Sequence, residues 1–342
     1  MSVCEVVIAS YLEPELVERV ARAEPRAHVT YEPALLPTPR FPCDHGGEPP
    51  RLSAAELRRW QAIVASADVC FDFDWHDPAT LPRRCPRLRF VQATSAGIGE
   101  FMTCTGLDRA QFAVSTAAGI HAVPLAEFAV MGALYFVKEL PRLGTWKAER
   151  HWERYATNRL AGRRALVIGL GGVGRETVRQ LAALGMEVWG LARRAPAEPV
   201  QGLSRAIDRH ELDDALARTD VLVIACPLTD ETQGMIGSEQ IAALPPGAIV
   251  VNVGRGPVID EVALIESLGA GRLGGACLDV FESEPLAADS PLWEMENVIV
   301  SPHSASTLVD ENATLTELFI DNLGRHLDGR PLRNPYDAAA GY

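Results

Sequence analysis

The stretch from Ala165 to Arg194 constrains this chain more than any other. Ala165-Leu166-Val167-Ile168-Gly169 is an apolar run of strand length, followed by Leu170-Gly171-Gly172-Val173-Gly174. A helix-like segment, Arg175 to Leu184, is closed by Gly185, and a second apolar run follows at Val188-Trp189-Gly190-Leu191. Gly169, Gly171 and Gly174 therefore stand at G-x-G-x-x-G spacing inside one strand–helix–strand unit. The first glycine permits the tight turn, the second lets backbone approach a pyrophosphate, and the third lets helix pack on strand. Gly172 and Val173 fill the turn where the helix N-terminus offers free N–H groups to phosphate. The unit is expected to bind a dinucleotide. The competing reading is a plain structural turn.

The end of the second strand narrows the cofactor. A site for NAD usually places Asp or Glu about 20 residues past the glycines, on the ribose 2′-hydroxyl. Here the matching place holds Ala192, followed by Arg193 and Arg194. Two guanidinium groups stand where a 2′-phosphate would lie, and Arg grips phosphate with a bidentate fork. NADP is expected ahead of NAD; the alternative reading of both arginines is a solvated loop.

A chain of 342 residues is long enough for about two domains, each with its own core. Its net charge of −13 disfavours nonspecific binding to nucleic acid or to an anionic membrane. The seven cysteines are scattered, with no C-x-x-C pair, which reads as reduced thiols in a cytoplasm and no metal site. No signal peptide is expected, and no apolar stretch reaches the ~18 residues of a membrane span.

Along the chain, short apolar runs alternate with helical patterns. Val6–Ala9, Ala27–Tyr31, Val69–Phe73, Leu88–Gln92 and Phe112–Ser115 read as strands. Glu15–Ala23 reads as a helix, and Ser53 with Glu56 forms a capping box ahead of a helix over Ala54–Ala67. Pro33–Pro50, rich in Pro and Gly, is expected to be a surface loop. Ala122–Leu140 reads as a helix with Pro124 at its start and Pro141 as its stop. After the glycine loop, strands are expected at Val221–Ala225, Ala248–Asn252, Gly275–Val280 and Val298–Val300, with helices at Glu261–Leu268 and Thr314–Leu327. Such alternation implies parallel sheets covered on both faces.

Three of these later segments end in polar residues: Val251-Asn252-Val253-Gly254-Arg255-Gly256, Leu278-Asp279-Val280-Phe281-Glu282-Ser283-Glu284-Pro285, and Val300-Ser301-Pro302-His303. Open α/β sheets bind ligands at the C-terminal edge of their strands. An Arg, a Glu and a His at three strand ends suit hydride transfer to or from an anionic hydroxy or keto acid.

Taken with Cys226-Pro227-Leu228-Thr229-Asp230-Glu231-Thr232, these segments in this order resemble the D-isomer-specific 2-hydroxyacid dehydrogenase family, of the glyoxylate/hydroxypyruvate reductase kind. The resemblance covers nearly the whole chain and is weakest before Phe90. It implies an α/β protein of two doubly wound, Rossmann-like domains, one flavodoxin-like and one NAD(P)-binding, with an interdomain cleft. The division expected is residues 1–120 plus 305–342 as a discontinuous substrate and catalytic domain, and 121–304 as the NAD(P)-binding domain. By the same likeness Arg255 holds the substrate, His303 is the acid/base and Glu284 is its partner. Glu282 competes for that last role, but the family places the carboxylate directly before Pro285. Asp279 resembles the residue that binds the nicotinamide carboxamide; Pro227, Thr232, Val253 and His303 line the cofactor. Ser95, Ala96 and Gly97 would present backbone N–H groups to the substrate carboxylate.

Each role has a physical reason. Reducing a 2-keto acid delivers hydride to the carbonyl carbon and a proton to its oxygen. A histidine can give that proton and take it back, and a carboxylate on its other ring nitrogen stabilises the imidazolium. An arginine, always charged, clamps the carboxylate and polarises the ketone. The expected activity is reduction of a small 2-keto acid such as glyoxylate or hydroxypyruvate by a homodimer. Formate is not expected, because formate-oxidising relatives carry Gln where Glu284 stands. The alternatives are a phosphite-type dehydrogenase and a dinucleotide-sensing, corepressor-like binding protein.

Overall fold

A computed structural model describes residues 3–194 and 198–338. Strands and helices alternate through its first part: β1 (Cys4–Ile8), α1 (Pro14–Ala23), β2 (Ala27–Thr30), α2 (Ala54–Ala65), β3 (Val69–Phe71), α3 (Leu81–Arg84), β4 (Phe90–Gln92), α4 (Gly99–Thr105) and β5 (Ala113–Ser115). Two helices follow, α5 (Ala122–Val137) and α6 (Leu140–Glu149), and the alternation resumes with β6 (Arg164–Ile168), α7 (Gly172–Ala183), β7 (Glu187–Leu191) and β8 (Leu203–Ile207). The remaining elements are α8 (Leu212–Leu216), β9 (Val221–Ile224), α9 (Ser238–Ala243), β10 (Ile249–Asn252), α10 (Glu261–Gly269), β11 (Gly275–Leu278), β12 (Val298–Val300) and α11 (Glu311–Leu327). They form two compact units, Met1–Ile120 with Thr307–Tyr342, and His121–Ser306.

The first unit is a parallel sheet in the order β2-β1-β3-β4-β5. Its inner strands β1, β3 and β4 are buried on both faces, as parallel strands covered by helices are, while the edge strand β2 is only partly covered. One face carries Val6, Ile8, Val69, Phe71 and Phe90 against Leu315, Phe319 and Leu323 of α11. The other carries Val7, Cys70, Val91 and Val114 against Trp60 and Val64 of α2. The buried Asn322 of α11 fixes the return of the chain by donating to Gln92 Oε1 and Ser115 Oγ, each at 2.9 Å. Its own oxygen accepts from Arg333 N at 2.7 Å, so this buried amide is fully used. The capping box at α2 forms as the sequence predicts, with Glu56 N on Ser53 Oγ and Ser53 N on Glu56 Oε2.

Pro33–Pro50 departs from the surface loop that its composition predicts. Leu35, Leu36, Cys43 and Asp44 are buried, and Thr38 pairs with Glu48. Asp44 makes this packing possible. It accepts from Arg40 Nε at 2.7 Å and from Gly47 N at 3.0 Å, so the turn satisfies its own polar groups. The Arg40 guanidinium holds the Asp44 carboxyl well below the usual carboxylate range.

The second unit is a parallel sheet in the order β12-β11-β10-β9-β6-β7-β8. Strand order reverses between β6 and β9, the place where open sheets of this kind take ligands. Helix α5 lies on β10, β11 and α7. It stops at Val137, short of the expected Leu140, and Pro141 sits in the first turn of α6 instead of ending α5. Proline suits a first turn because the N–H it lacks would have no partner there. The break falls at Lys138-Glu139, where Glu139 is left-handed at φ 53°. Strand β8, with three exposed residues, carries too weak a pattern to be read from sequence.

All seven cysteines are free, and only Cys104 is exposed. Among the described residues no helix is long and apolar enough to cross a membrane. A tight seam in the second unit lies under Gly132 of α5, where an added Cβ would meet Cys277 Cβ and Sγ at 2.6 Å. Gly132→Ala is therefore expected to cost about 1–3 kcal/mol by overpacking, read as a lower urea midpoint. An unchanged midpoint would show that the seam yields to a methyl group without strain.

Candidate active site

The glycine turn is built as its spacing requires. Gly169 has φ +98°, closed to most side chains, and an added Cβ would lie 2.8 Å from the Ala225 backbone. At Gly174 a Cβ would lie 1.7 Å from the Gly169 carbonyl oxygen, so helix can meet strand there only without a side chain. At Gly171 a Cβ would meet nothing within 4 Å, which leaves the backbone open to a ligand. Gly171 also caps α7 without any side-chain acceptor, leaving the N–H groups of Gly172, Val173 and Gly174 facing outward from the helix start. The donor set fits a pyrophosphate. Helix α7 ends in a Schellman closure: Gly185 N bonds Ala182 O at 2.9 Å, and Met186 N bonds Leu181 O at 3.2 Å. Ala192 follows β7 directly, with exposed Arg193 and Arg194 next in the chain.

The next loop, after β9, is a turn knotted by Thr232. Its hydroxyl donates to Pro227 O at 2.8 Å and accepts from Thr229 N at 2.8 Å. Thr232 thus shapes the turn that presents Pro227, rather than holding its hydroxyl free for a ligand.

Arg255, Glu284 and His303 follow β10, β11 and β12, three adjacent strands in register: Val250 beside Ala276, and Ala276 beside Val298. Their C-terminal ends therefore share one sheet edge. The first of these loops is tied by Asn252, a buried residue that the sequence reading passed over. Asn252 donates from Nδ2 to Arg255 O at 3.0 Å and accepts at Oδ1 from Gly254 N at 3.1 Å. Arg255 Nη1 donates to Gly254 O at 2.7 Å, and Val253, buried, bonds Ile224 O. Gly256 brings this loop against the next, for a Cβ there would lie 1.8 Å from Phe281 O.

Phe281 opens the second loop. Its N–H donates to Glu284 Oε1 at 3.1 Å, and Glu284 Oε2 meets His303 Nδ1 at 2.7 Å. Glu284 rather than Glu282 is thus the partner of the imidazole; Glu282 receives no ring nitrogen and its own N–H goes to Glu261. With Nδ1 committed to the carboxylate, Nε2 is the nitrogen left to face a reactant.

Asp279 holds the third loop. Its Oδ1 accepts from Ser301 Oγ at 2.6 Å, Ser304 N at 2.9 Å and Ala305 N at 2.9 Å, and its carbonyl accepts from His303 N at 3.0 Å. Those donors flank His303, whose backbone is left-handed at φ 55°. Burial pushes the Asp279 carboxyl up, and the hydrogen bonds act against it.

Ser95, Ala96 and Gly97 belong to the first unit and follow β4. Ser95 and Gly97 line a cavity of about 350 Å³ in that unit. His45, Asp72 and Trp75 share its wall, and none was singled out from sequence. They come from two loops far apart in the chain, one holding His45 and the other Asp72 and Trp75, so no local pattern announces them.

A glycine cradle at a strand-order reversal, beside an arginine and a carboxylate–imidazole pair, defines a dinucleotide-binding α/β protein with an acid/base centre. The sequence profile described as "D-isomer specific 2-hydroxyacid dehydrogenase, NAD binding domain" matches residues 130–305, and the chain belongs to that family of oxidoreductases. It is 32% identical over 290 residues to a glyoxylate/hydroxypyruvate reductase B of Shigella boydii, covering 83% of this chain and 88% of that one. Among solved structures it is similar to a D-isomer specific 2-hydroxyacid dehydrogenase of Xanthobacter autotrophicus in complex with NADPH, at TM-score 0.78 and 28% identity over the full length of both chains. It is also similar to an NADPH-dependent glyoxylate/hydroxypyruvate reductase of Sinorhizobium meliloti in complex with NADP, at TM-score 0.78 and 27% identity, covering 99% and 100%.

The clamp at Asn252 can be tested without any ligand. Asn252→Ala leaves buried backbone groups unpaired, and each such group costs about 1–3 kcal/mol. Urea unfolding should show a loss of that size; a change under 0.5 kcal/mol, ordinary for a surface substitution, would remove Asn252 from the account.

Proposed function

We propose that the chain is an NADPH-preferring reductase of small 2-keto acids, and that Arg255, Glu284 and His303 carry the reaction. The contact of His303 Nδ1 with Glu284 Oε2 at 2.7 Å is the observation that supports this most directly. It fixes the ring's orientation and stabilises the imidazolium, so Nε2 can hold a proton at the C2 oxygen of the substrate and take it back in the reverse direction. Arg255 clamps the substrate carboxylate and draws charge toward the ketone oxygen. The N–H groups of Ser95, Ala96 and Gly97 are assigned to the same carboxylate. The nicotinamide, when bound, supplies the hydride.

For the cofactor, Gly169, Gly171, Gly172, Val173 and Gly174 are assigned to the pyrophosphate, and Pro227, Thr232 and Val253 to the walls along it. Asp279 has three donors on Oδ1, which leaves Oδ2 for the carboxamide. Arg193 and Arg194 are assigned to the 2′-phosphate. The absence of a carboxylate at Ala192 and the NADPH and NADP bound by the solved relatives support that choice. The family resemblance further suggests a homodimer through the cofactor-binding unit. Seven free cysteines favour a cytoplasmic setting, and the net charge of −13 disfavours nucleic acid as a partner.

The decisive experiment is oxidation of NADPH and of NADH with glyoxylate and hydroxypyruvate. His303→Ala should lower kcat by about 10²–10⁴-fold while the protein still binds NADPH; turnover at the parent rate would reject the acid/base role. The double variant Arg193→Ala, Arg194→Ala should raise the Kd of NADPH at least about tenfold more than that of NADH, as loss of charge-assisted bonds to one phosphate predicts. Equal weakening of both cofactors would mean that the arginines do not read the 2′-phosphate.

A further inference from the structure

The loop that carries Glu284 is held from outside at one peptide, the bond between Phe281 and Glu282. Gly256 lies against that peptide, for an added Cβ there would stand 1.8 Å from Phe281 O and 2.5 Å from Glu282 N. The N–H of the same peptide is also engaged: Glu282 N donates to Glu261 Oε2 at 3.0 Å. Glu261 opens α10, and none of the chemistry assigned above uses it.

The start of α10 is a firm anchor. Asp260 caps it, accepting from Ala263 N at 3.0 Å, and Asp260 N donates to Ile236 O at 2.9 Å. A carboxylate in the first turn is favoured by the partial positive charge of the helix start. Its bond to a backbone N–H is charge-assisted and therefore stronger than a neutral one.

The bonds that follow lead to His303. Phe281 N, one peptide earlier, donates to Glu284 Oε1 at 3.1 Å, and Glu284 Oε2 meets His303 Nδ1 at 2.7 Å. Both carboxylate oxygens are thus engaged, and the plane of the carboxylate follows the position of Phe281 N. That position follows the next peptide, which Gly256 and Glu261 hold. The two restraints differ in kind. A steric contact at Gly256 resists approach only, whereas the bond from Glu261 resists separation. Three hydrogen bonds in series therefore join α10 to the imidazole, all inside the second unit.

We infer that Glu261 is a positioning residue for the acid/base pair. Its carboxylate holds the Phe281–Glu282 peptide, and through Phe281 N the Glu284 carboxylate, so that His303 Nδ1 stays occupied and Nε2 stays free. The inference rests on the reductase reading only where turnover is measured.

The test has two readouts. The first is kcat and KM for hydroxypyruvate at saturating NADPH. Glu261→Ala should lower kcat by about 10–10²-fold, the loss a misplaced reacting group produces, with KM changed less than about threefold. Glu261→Gln keeps an acceptor oxygen at the same reach and should recover most of that kcat. Glu282→Ala keeps the backbone N–H and should turn over at the parent rate. An unchanged kcat in Glu261→Ala, a loss confined to KM, a Gln variant as slow as the Ala variant, or an equal loss in Glu282→Ala would overturn the inference.

The second readout needs no substrate. Heteronuclear NMR of the histidine ring nitrogens, with His303 assigned by its disappearance in His303→Gln, reports which nitrogen of the neutral ring carries the proton. In the parent it should be Nδ1, and Glu261→Ala should shift part of the population to the Nε2–H form, while Glu261→Gln should not. An unchanged tautomer in Glu261→Ala would overturn the inference even if turnover fell. A parent that reduces no keto acid but shows this shift would defeat the reductase reading and leave the positioning role standing.

Discussion

The alignment of three parallel strands is what the site depends on. β10, β11 and β12 pair in register, so the chain leaves each of them at the same level of the sheet. A one-residue slip would turn every side chain to the opposite face and separate the loops that follow. Apolar residues on both faces hold that register, and they are the reason these strands read as unbroken hydrophobic runs. The polar chemistry begins where the apolar run ends: Asn252, the last residue of its strand, ties the loop that follows it, and Asp279 and Ser301, the first residues past theirs, bond each other and hold the loop after β12.

A division of labour follows. The residues assigned to chemistry are partly or well exposed, with His303 at 49% and Glu284 at 36% side-chain exposure. The residues that hold them, Asn252 and Asp279, are buried and make most of their bonds to backbone. Buried polar groups that are fully satisfied rigidify a site, and that is where orientation comes from here. The carboxylate–imidazole contact is the last link of a chain that begins in the sheet.

Much of this was legible in the sequence because the signals are local. Strand, glycines, helix and strand lie within thirty consecutive residues, and Gly169 and Gly174 answer to steric requirements found in the structure, while Gly171 leaves its surroundings open. That Arg255, Glu284 and His303 gather at one sheet edge was legible because each stands just past a strand end, and the family resemblance chose Glu284 over Glu282 by its place before Pro285. What was not legible is what depends on tertiary packing. The Pro33–Pro50 segment has the composition of a loop, but Asp44 lets it fold inward, and its His45 reaches a cavity shared with Asp72 and Trp75. Pro141 is ambiguous by nature: the same residue can follow one helix or open the next, and only the turn at Glu139 settles which.

The left-handed backbone at His303 has one more consequence. That conformation suits glycine and works against a branched or bulky side chain, at about 1–3 kcal/mol. The imidazole is therefore retained at a position where the backbone alone would choose otherwise. Swapping it for the smallest residue would relax the loop while removing the proposed proton donor. On the proposed role of His303, robustness and reactivity pull in opposite directions at this single position, and a selection for heat tolerance that ignored turnover would remove the imidazole first.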